Sequence, residues 1–530
     1  MISDGNGQDC LSRYQEMAQM MYRLRRMVPH WWILGISTVH PRFPVPQDHL
    51  QLMEALQVSQ RQRRAPAVPS SARLIAQWLV SLLYAVRESL QILFLKARFA
   101  PFVGRLKKEP ADLLIKSWCF GPKTAGGSGD FYYGTLGEKL QERGVRPLFL
   151  SGDARGRMTR KVAQQLIRNE KIRSVPEPLL LPVWAPLAAV WKQIRGALAI
   201  RRLARETDDP QFSALCGAAA SNGVRPATLR HTLYFYIARE AVKAFRPKAL
   251  VTLYEGQPWE KLAWHGAREG SPRCRIVGYQ HTVVMPHAIS LLSPNRHSWE
   301  LSVPDAVLCL GETTREMLSR GHAPFGTDLV TFGSFRERGE RIGRSTPQPG
   351  RRTVLVLPMG VLDEAVALFD FAIQLARSVP EERFILRCHP VLPFSQVRPH
   401  LAQGPEGCAN IEVSTAPEIA ADFGRSSAAL YHGSSAVLYA VLHGLRPLYL
   451  RTAALPDADP LFELQEWRVP VSSLEDAKRD LEAYAGLSAQ QADLAWRKAY
   501  DYVQRYTKSV DDLSVDRFLA AVGMGQGVPS

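Results

Sequence analysis

Two serines and a glycine follow an apolar segment in the C-terminal half of the chain. The apolar residues 428–431 lead into His-Gly-Ser-Ser at 432–435, and a short apolar helix is predicted next. The first N–H groups of a helix lack internal partners and carry positive character, so a phosphate suits such a turn. Gly433 would let the backbone approach closely, and Ser434 and Ser435 would add hydroxyl donors. A plain serine N-cap is the alternative, but the Gly-Ser-Ser cluster favours an anion-binding turn.

A second polar turn ends another predicted strand of the same half. The sequence Arg-Cys-His-Pro occupies 387–390, and Pro390 stops the strand. His389 then stands at the carboxyl edge, where its ring can donate to a phosphate or carboxylate oxygen. A buried histidine bonded to backbone is the alternative. Two polar turns at one sheet edge converge on one crevice, which favours a ligand-binding role for His389.

A carboxylate stands at a strand end in the N-terminal half. Glu255 lies within Tyr-Glu-Gly at 254–256, after the apolar run of a predicted strand. Such a carboxylate can act as general base toward an acceptor hydroxyl. Capping of the next helix by Glu255 or Glu260 explains the same residues equally well. The spacing alone leaves both interpretations open.

Three further residues are candidates for the acceptor side or the cleft. Asp130 closes the glycine-rich turn 126–130, which matches neither the dinucleotide fingerprint nor the P-loop. Gln280 and His281 end the predicted strand 274–281. His287 and His297 follow, but no carboxylate or cysteine joins these histidines at ligand spacing, so no metal site is predicted.

Alternating strands and helices must position these residues. Short apolar runs recur from residue 111, each followed by a turn and usually a helix, which predicts βα units and a parallel sheet. A basic segment rich in proline and glycine lies at 334–352, and the pattern then restarts. We therefore predict an α/β fold: a mainly helical extension at 1–110, a Rossmann-like domain at 111–340, and a second one with C-terminal helices at 350–510. Two such domains face each other across a cleft at their strand ends.

The charge and the cysteine content limit which partners and which cellular compartment are expected. The chain has 530 residues and a formal net charge of +16, which favours an anionic partner. No zinc finger, RNP-like motif or reading helix is present, so nucleic acid is not predicted as a partner. The seven cysteines form no Cys-x-x-Cys pair. Reduced thiols in a cytosolic protein are the expected state.

Two apolar segments at 73–100 and 175–204 end in basic clusters. Arg87 and Glu88 interrupt the first and prolines the second, so neither is predicted to span a membrane. Buried packing helices are one interpretation. Basic amphipathic helices in peripheral contact with the inner face of the cytoplasmic membrane are the other. The N-terminus has early acidic residues and no apolar run, so no signal peptide is predicted.

Together these motifs resemble a known enzyme family. His389-Pro390, Ser434-Ser435 and Glu255-Gly256 are similar in order and placement to motifs of the GT-B glycosyltransferases of bacterial surface polysaccharides. The likeness is strongest to polysialyltransferases and capsule Kdo transferases, and it covers about residues 110–455. Many such enzymes carry a carboxylate in the helix after the serines, where this chain has Tyr439 and Ala440.

The resemblance implies a transferase that moves an acidic sugar from a CMP-activated donor onto a growing capsule or lipopolysaccharide glycan. The expected acceptor is a glycan or a lipid-linked glycan. His389, Pro390 and the turn 433–435 would hold the donor phosphate, and Glu255 would be the base. The nucleotide sugar is a co-substrate, and neither a cofactor nor a metal is implied. A nucleotide-sugar epimerase, a polyol-phosphate transferase and a non-catalytic scaffold of polysaccharide assembly remain alternatives.

Overall fold

The structure, a computed structural model, describes most of the chain. The described residues are 19–20, 23–28, 68–286, 291, 303–322, 326–335, 345–452, 455 and 457–525. His287 and His297 lie outside them, as does Cys10.

A parallel sheet of seven strands forms the first α/β unit, with strand order β3-β2-β1-β4-β5-β6-β7. Its strands are β1 (Leu113–Cys119), β2 (Pro147–Asp153), β3 (Ser174–Pro176), β4 (Ala249–Leu253), β5 (Arg275–Tyr279), β6 (Ala306–Cys309) and β7 (Asp328–Thr331). Nine helices are described before the second sheet: α1 (Ser71–Leu106), α2 (Pro122–Ala125), α3 (Leu136–Glu142), α4 (Arg160–Arg168), α5 (Ala185–Glu206), α6 (Pro210–Gly223), α7 (Pro226–Phe245), α8 (Pro258–Gly270) and α9 (Glu312–His322). A short 3₁₀ turn spans Glu177–Leu179.

A second parallel sheet has six strands in the order β10-β9-β8-β11-β12-β13. They are β8 (Thr353–Leu357), β9 (Arg383–Leu386), β10 (Ile411–Val413), β11 (Ala428–Tyr431), β12 (Arg446–Leu450) and β13 (Val469–Val471). The described helices here are α10 (Leu362–Ser378), α11 (Phe394–Val397), α12 (Ile419–Arg425), α13 (Ala436–Leu442), α14 (Leu474–Ala485), α15 (Ala489–Tyr506) and α16 (Asp512–Ala521). Two 3₁₀ turns span Pro349–Arg351 and Arg398–His400.

The strand sequences explain why both sheets are parallel and covered. Strand β8 reads Thr-Val-Leu-Val-Leu and β11 reads Ala-Ala-Leu-Tyr, and every residue of both is buried. Continuous apolar strands of this kind are typical of parallel sheets with helices on both faces. The predicted fold class is confirmed: two Rossmann-like α/β units and a helical N-terminal region.

The last helix returns to the first sheet. Ser334 and Ser509 form an isolated parallel bridge, and the rings of Phe518 in α16 and Phe332 lie 5.9 Å apart. A Cβ on Gly311 would lie 2.4 Å from the backbone oxygen of Arg505, so α15 crosses that turn at close range. The chain therefore passes between the two units a second time, and the contacts of α15 and α16 with the first unit hold the two together.

The strand order places two turns of each unit at a crevice. In the first sheet β1 and β4 are neighbours, and in the second β8 and β11 are neighbours, although neither pair is consecutive in the chain. Helices leave such neighbouring strands toward opposite faces, which opens a crevice at their carboxyl ends. The turns containing Glu255 and Gly433 follow β4 and β11 respectively.

Candidate functional site

A cavity of about 1080 Å³ lies between the two units and is lined by both. Six residues predicted from the sequence line it together: Glu255, His389, Pro390, Gly433, Ser434 and Ser435. Glu255 lies more than one hundred positions before the other five, at a strand end of the first sheet, and only the facing of the two sheets brings it to the same space as the strand ends of the second sheet. The size suits a nucleotide and a sugar, since ligand pockets commonly span about 300–1,000 Å³.

The turn after β4 is held by Glu260. This fully buried carboxylate accepts N–H groups from Glu255 at 2.9 Å, Gly256 at 2.9 Å and Gln257 at 3.1 Å. Gln257 and Glu260 form a capping box at the start of α8. Of the two capping candidates, Glu260 therefore forms the cap, and the Glu255 side chain is directed to the cavity.

Glu255 is paired with His281. The Glu255 Oε1 atom lies 2.5 Å from His281 Nε2, and Gln257 Nε2 donates to Glu255 Oε2 over 3.3 Å. The side chain of Glu255 is 24% exposed and that of His281 is 5% exposed. An ionised carboxylate can only accept, so the imidazole Nε2–H is the donor of this bond. The pair presents a carboxylate to the cavity with a buried histidine behind it.

His281, Gln280 and Asp130 are not among the residues that line the described cavity. The Asp130 carboxylate accepts the N–H groups of Tyr132 at 2.8 Å and Tyr133 at 2.9 Å, which closes its own turn. The fully buried Gln280 accepts the N–H of Leu310 at 3.0 Å. Asp130 and Gln280 thus bond to neighbouring backbone rather than facing the cleft.

The side chain of His389, on the second-unit side of the cavity, is a neutral hydrogen-bond donor. The N–H of Val391 donates to His389 Nδ1 over 3.3 Å, so the proton of the neutral ring resides on Nε2. Burial lowers the pKa of His389 below its ordinary value, which keeps the ring neutral. Gly360 has a φ of 87°, and a Cβ there would lie 2.7 Å from the imidazole, so the ring needs this glycine beside it.

Position 433 requires a glycine because of a close contact with a neighbouring side chain, and not because of a positive φ. A Cβ at this position would lie 2.3 Å from Met359 Sδ, and its φ is not among the positive values. Ser435 occupies the N-cap position of α13, but its side chain makes no capping hydrogen bond. The plain N-cap explanation therefore fails for Ser435, whose exposed hydroxyl lies at the cavity.

The turn after β8 mirrors the turn after β4. Glu364, in the first turn of α10, accepts the N–H of Met359 at 3.0 Å through Oε2, while its buried Oε1 has no hydrogen-bond partner. Burial raises the pKa of Glu364 to about 8. A neutral carboxylic acid therefore holds Met359 against Gly433.

Sequence reasoning missed an aromatic wall over a buried ion pair. Trp118, Tyr234 and Trp259 line the cavity, with ring centroids 5.1–5.7 Å apart. Beneath them the ammonium of Lys116 lies 3.0 Å from Glu177 and 3.4 Å from the Trp118 ring centroid. The charged residue inside the apolar strand 111–120 was the available signal, since a buried lysine needs a partner.

The cavity edge also carries a charged pair that was not predicted. Arg155 donates to the Asp153 carboxylate through Nε at 3.0 Å and Nη2 at 2.8 Å, in a two-point contact. The carboxylate is fully buried, while half of the arginine side chain remains exposed. Among the described residues there is no group of three or more histidine, cysteine, aspartate or glutamate side chains arranged to hold a metal ion.

Comparisons with known proteins give only distant likenesses. No protein-family model matches the sequence, and no curated protein matches it. A solved glycosyltransferase of kitacinnamycin is 12% identical, with 78% of this chain and 99% of that chain covered and a TM-score of 0.43. The calicheamicin glycosyltransferase is 14% identical over 79% and 100%, with a TM-score of 0.39.

A UDP-GlcNAc 2-epimerase from Neisseria meningitidis, bound to UDP-GlcNAc, is 10% identical over 77% of this chain and 99% of its own, with a TM-score of 0.41. Transferases and epimerases thus stand side by side at equally low similarity. The architecture of this chain rests on its own two parallel sheets.

Proposed function

We propose that the protein is a glycosyltransferase that moves a sugar from a nucleotide-activated donor onto a glycan hydroxyl. One observation carries the proposal: a single cleft sets a histidine-supported carboxylate, Glu255, across from neutral hydrogen-bond donors at His389, Ser434 and Ser435. Transfer of a sugar to a hydroxyl needs one group that accepts a proton and another that stabilises the departing phosphate.

The second unit would hold the donor. The Nε2–H of His389 and the hydroxyls of Ser434 and Ser435 would donate to phosphate oxygens of the nucleotide. As the glycosidic bond lengthens, negative charge grows on that phosphate, and fixed donors in the cleft stabilise it. This arrangement calls for no metal ion, because the donors supply the positive ends of their dipoles.

The first unit would activate the acceptor. The acceptor oxygen forms a bond to the anomeric carbon while the bond from that carbon to the phosphate oxygen breaks. The hydroxyl proton passes to Glu255, and the bonding electron pair leaves with the nucleotide phosphate. His281 would keep Glu255 ionised and correctly oriented by donating to Oε1, since hydrogen bonds to the charged form favour it.

The resemblance of the motifs supports a CMP-activated acidic sugar as donor and a bacterial surface glycan as acceptor. The ribose would need partners other than the helix after the serines, because Ala440 is fully buried in the core and Tyr439 packs against it. The aromatic wall of Trp118, Tyr234 and Trp259 supports a sugar acceptor, since sugar rings offer apolar faces to aromatic rings. We place this activity in the cytoplasm, where unpaired thiols persist.

Nucleotide binding and product formation test the proposal. Thermal shift and calorimetry with CMP, UDP and CDP should show one preferred nucleotide, with affinity lowered about tenfold in His389→Ala. The matching nucleotide sugar should then be consumed only when a glycan acceptor is present. An epimerase would convert the donor without acceptor, a polyol-phosphate transferase would transfer the phosphate, and a scaffold would bind no nucleotide; each outcome would refute the proposal.

A further inference from the structure

Helix α1 exposes a continuous apolar stripe to solvent. Ile75, Leu79, Leu83, Val86, Leu90 and Leu93 recur every three or four positions, and Val80 and Phe94 flank them. Leu83 is 72% exposed and Leu90 is 62% exposed. At 1.5 Å per residue the stripe is about 28 Å long. Monomeric soluble proteins rarely expose an apolar surface of this extent without a partner for it.

The opposite face of α1 is already used by the protein. Ala85, Ile92 and Leu95 are buried in the core of the first unit, and Glu88 and Gln91 line the cleft. The helix is therefore apolar on both sides for different reasons, because one side packs inward and the other has no packing partner among the described residues.

Helix α5 extends the apolar surface. The two helices pack together, and the indole N–H of Trp78 in α1 donates to the backbone oxygen of Val190 in α5 over 2.8 Å. On the solvent side Trp184 is 53% exposed, Leu187 is 42% exposed and Trp191 is 58% exposed. Exposed tryptophans next to leucines are typical of helices that lie at a membrane interface.

The charge around this surface is one-sided. Helix α1 contains five basic residues and one acidic residue, Glu88, which lies in the cleft lining. Helix α5 also contains five basic residues and one acidic residue, Glu206, which pairs with Arg202 at 2.7 Å. Each helix thus has a net charge of +4, that is 5 − 1. A partner that covers this surface should contact the apolar stripe through apolar groups and the basic residues through negatively charged groups.

We propose that the outer faces of α1 and α5 dock the protein on a membrane leaflet that contains anionic lipid. The aliphatic stripe would enter the boundary between headgroups and acyl chains, the tryptophans would lie at that boundary, and the arginines and lysines would contact the lipid phosphates. By length and composition α1 is also long enough to cross a membrane, with a mean hydropathy of 1.4 over its most apolar window. Its inner face, however, forms the protein core and the cleft wall, so it lies flat.

The same helix would then connect the membrane to the cleft. Because α1 is one helix thick, about 10 Å, the cleft wall at Glu88 and Gln91 lies that far from the leaflet. This connection rests on the proposed function, under which an acceptor carried by a lipid would reach the cleft without leaving the membrane surface. The docking itself does not depend on it.

Vesicle co-sedimentation of the full chain tests the docking, without any sugar donor. Wild-type protein should sediment with phosphatidylcholine vesicles that contain phosphatidylglycerol, and added salt should weaken the binding. The double variant Leu83→Glu/Leu90→Glu should bind at least about tenfold more weakly. Leu494→Glu is the matched control, since Leu494 is 73% exposed on α15, and it should bind like wild type. Circular dichroism and thermal unfolding confirm that each variant folds.

Three results would overturn the docking. Wild type that stays in the supernatant would do so, as would equal binding by the double variant. The third is a dimer in light scattering that the double variant splits, which would make the face an interface between two copies. If the wild-type protein binds vesicles but binds no nucleotide, the proposed function is refuted while the docking stands.

Discussion

The two walls of the cleft differ in how their polar groups are used. On the first wall, formed by the first unit, three charged groups have partners: Glu255 has His281, Asp153 has Arg155 and Lys116 has Glu177. On the second wall, formed by the second unit, Arg387 is paired with Asp422, but His389 is neutral and the Ser435 hydroxyl makes no cap bond. Paired charges fix a reactive group in position, whereas uncommitted donors await a ligand. Under the proposed function, the first wall would orient the reactive carboxylate and the second would bind the donor.

The turns beneath the walls differ in the same sense. Glu260 holds the turn after β4 through three backbone N–H groups, whereas Glu364 holds the turn after β8 through one. More bonds to the turn leave less freedom for the side chain above it. The wall that contains Glu255 should therefore tolerate substitutions less well than the wall that contains His389 and residues 433–435.

The largest expected effect is at Glu255. Glu255→Gln keeps the size of the side chain and removes the proton acceptor, so turnover should fall by about 10²–10⁴-fold. Nucleotide affinity should stay unchanged because the second wall is intact. Initial rates and calorimetry measure the two quantities. Glu269→Gln, the same change at the far end of α8, is the control. Near-normal turnover in Glu255→Gln would show that Glu255 is not the proton acceptor and that the two walls do not differ in role.

His281 should show a smaller effect of the same kind. His281→Asn removes the donor to Glu255, so turnover should fall about 10- to 100-fold while nucleotide affinity is kept. His281→Gln, whose side-chain amide can still donate to Glu255, should keep more of the turnover than His281→Asn. Equal losses in the two variants would show that His281 acts only on the fold.

Gly433 tests the binding wall in turn. In Gly433→Ala the new Cβ would meet Met359 Sδ, which must move, so nucleotide affinity should drop about tenfold. The double variant Gly433→Ala/Met359→Ala should recover part of it. Gly424→Ala in α12 is the control, because nothing lies within 4 Å of its added Cβ. Equal nucleotide affinity in all variants would show that the turn 433–435 does not bind the nucleotide.

The smallest effect concerns stability and compares the two buried glutamates. Folding holds a proton on Glu364 that the unfolded chain releases above its ordinary pKa of 4.5. The stability is therefore fully present below pH 4.5 and is lost as pH rises toward about 8, by up to about 1.4 kcal/mol per unit.

Burial also raises the pKa of Glu260, so Glu364→Gln should remove only the share of this dependence that Glu364 contributes, and its Tm should gain on wild type as pH increases. Glu260→Gln should instead lower Tm, since both oxygens of Glu260 accept N–H groups and an amide nitrogen cannot. Melting curves at about pH 5 and about pH 8 measure both variants. A parallel pH response of Glu364→Gln and wild type would contradict the assignment of the buried proton.

The sequence by itself determined the kind of fold and where polar groups would collect. Apolar strands, turn residues and helix periods are local patterns, and they predicted two parallel α/β sheets and the polar strand ends at Glu255, His389 and 433–435. Parallel sheets put such ends on one edge whatever the details of packing. This is why His389, Pro390 and residues 433–435 collect at one edge of the second sheet, whereas their meeting with Glu255 depends on how the two sheets face each other.

Only the tertiary structure decided which side chain does what at those ends. Glu255 and Glu260 are equivalent as letters five positions apart, and the difference is that backbone N–H groups close around Glu260. Gln280 directly follows a strand and Asp130 closes a glycine-rich turn, yet both side chains accept backbone N–H groups nearby. The outer face of α1 was likewise undecided, because an apolar stripe is buried or exposed according to what packs on it. Hydrogen-bond partners and packing neighbours are contacts between distant segments, and a linear pattern does not contain them.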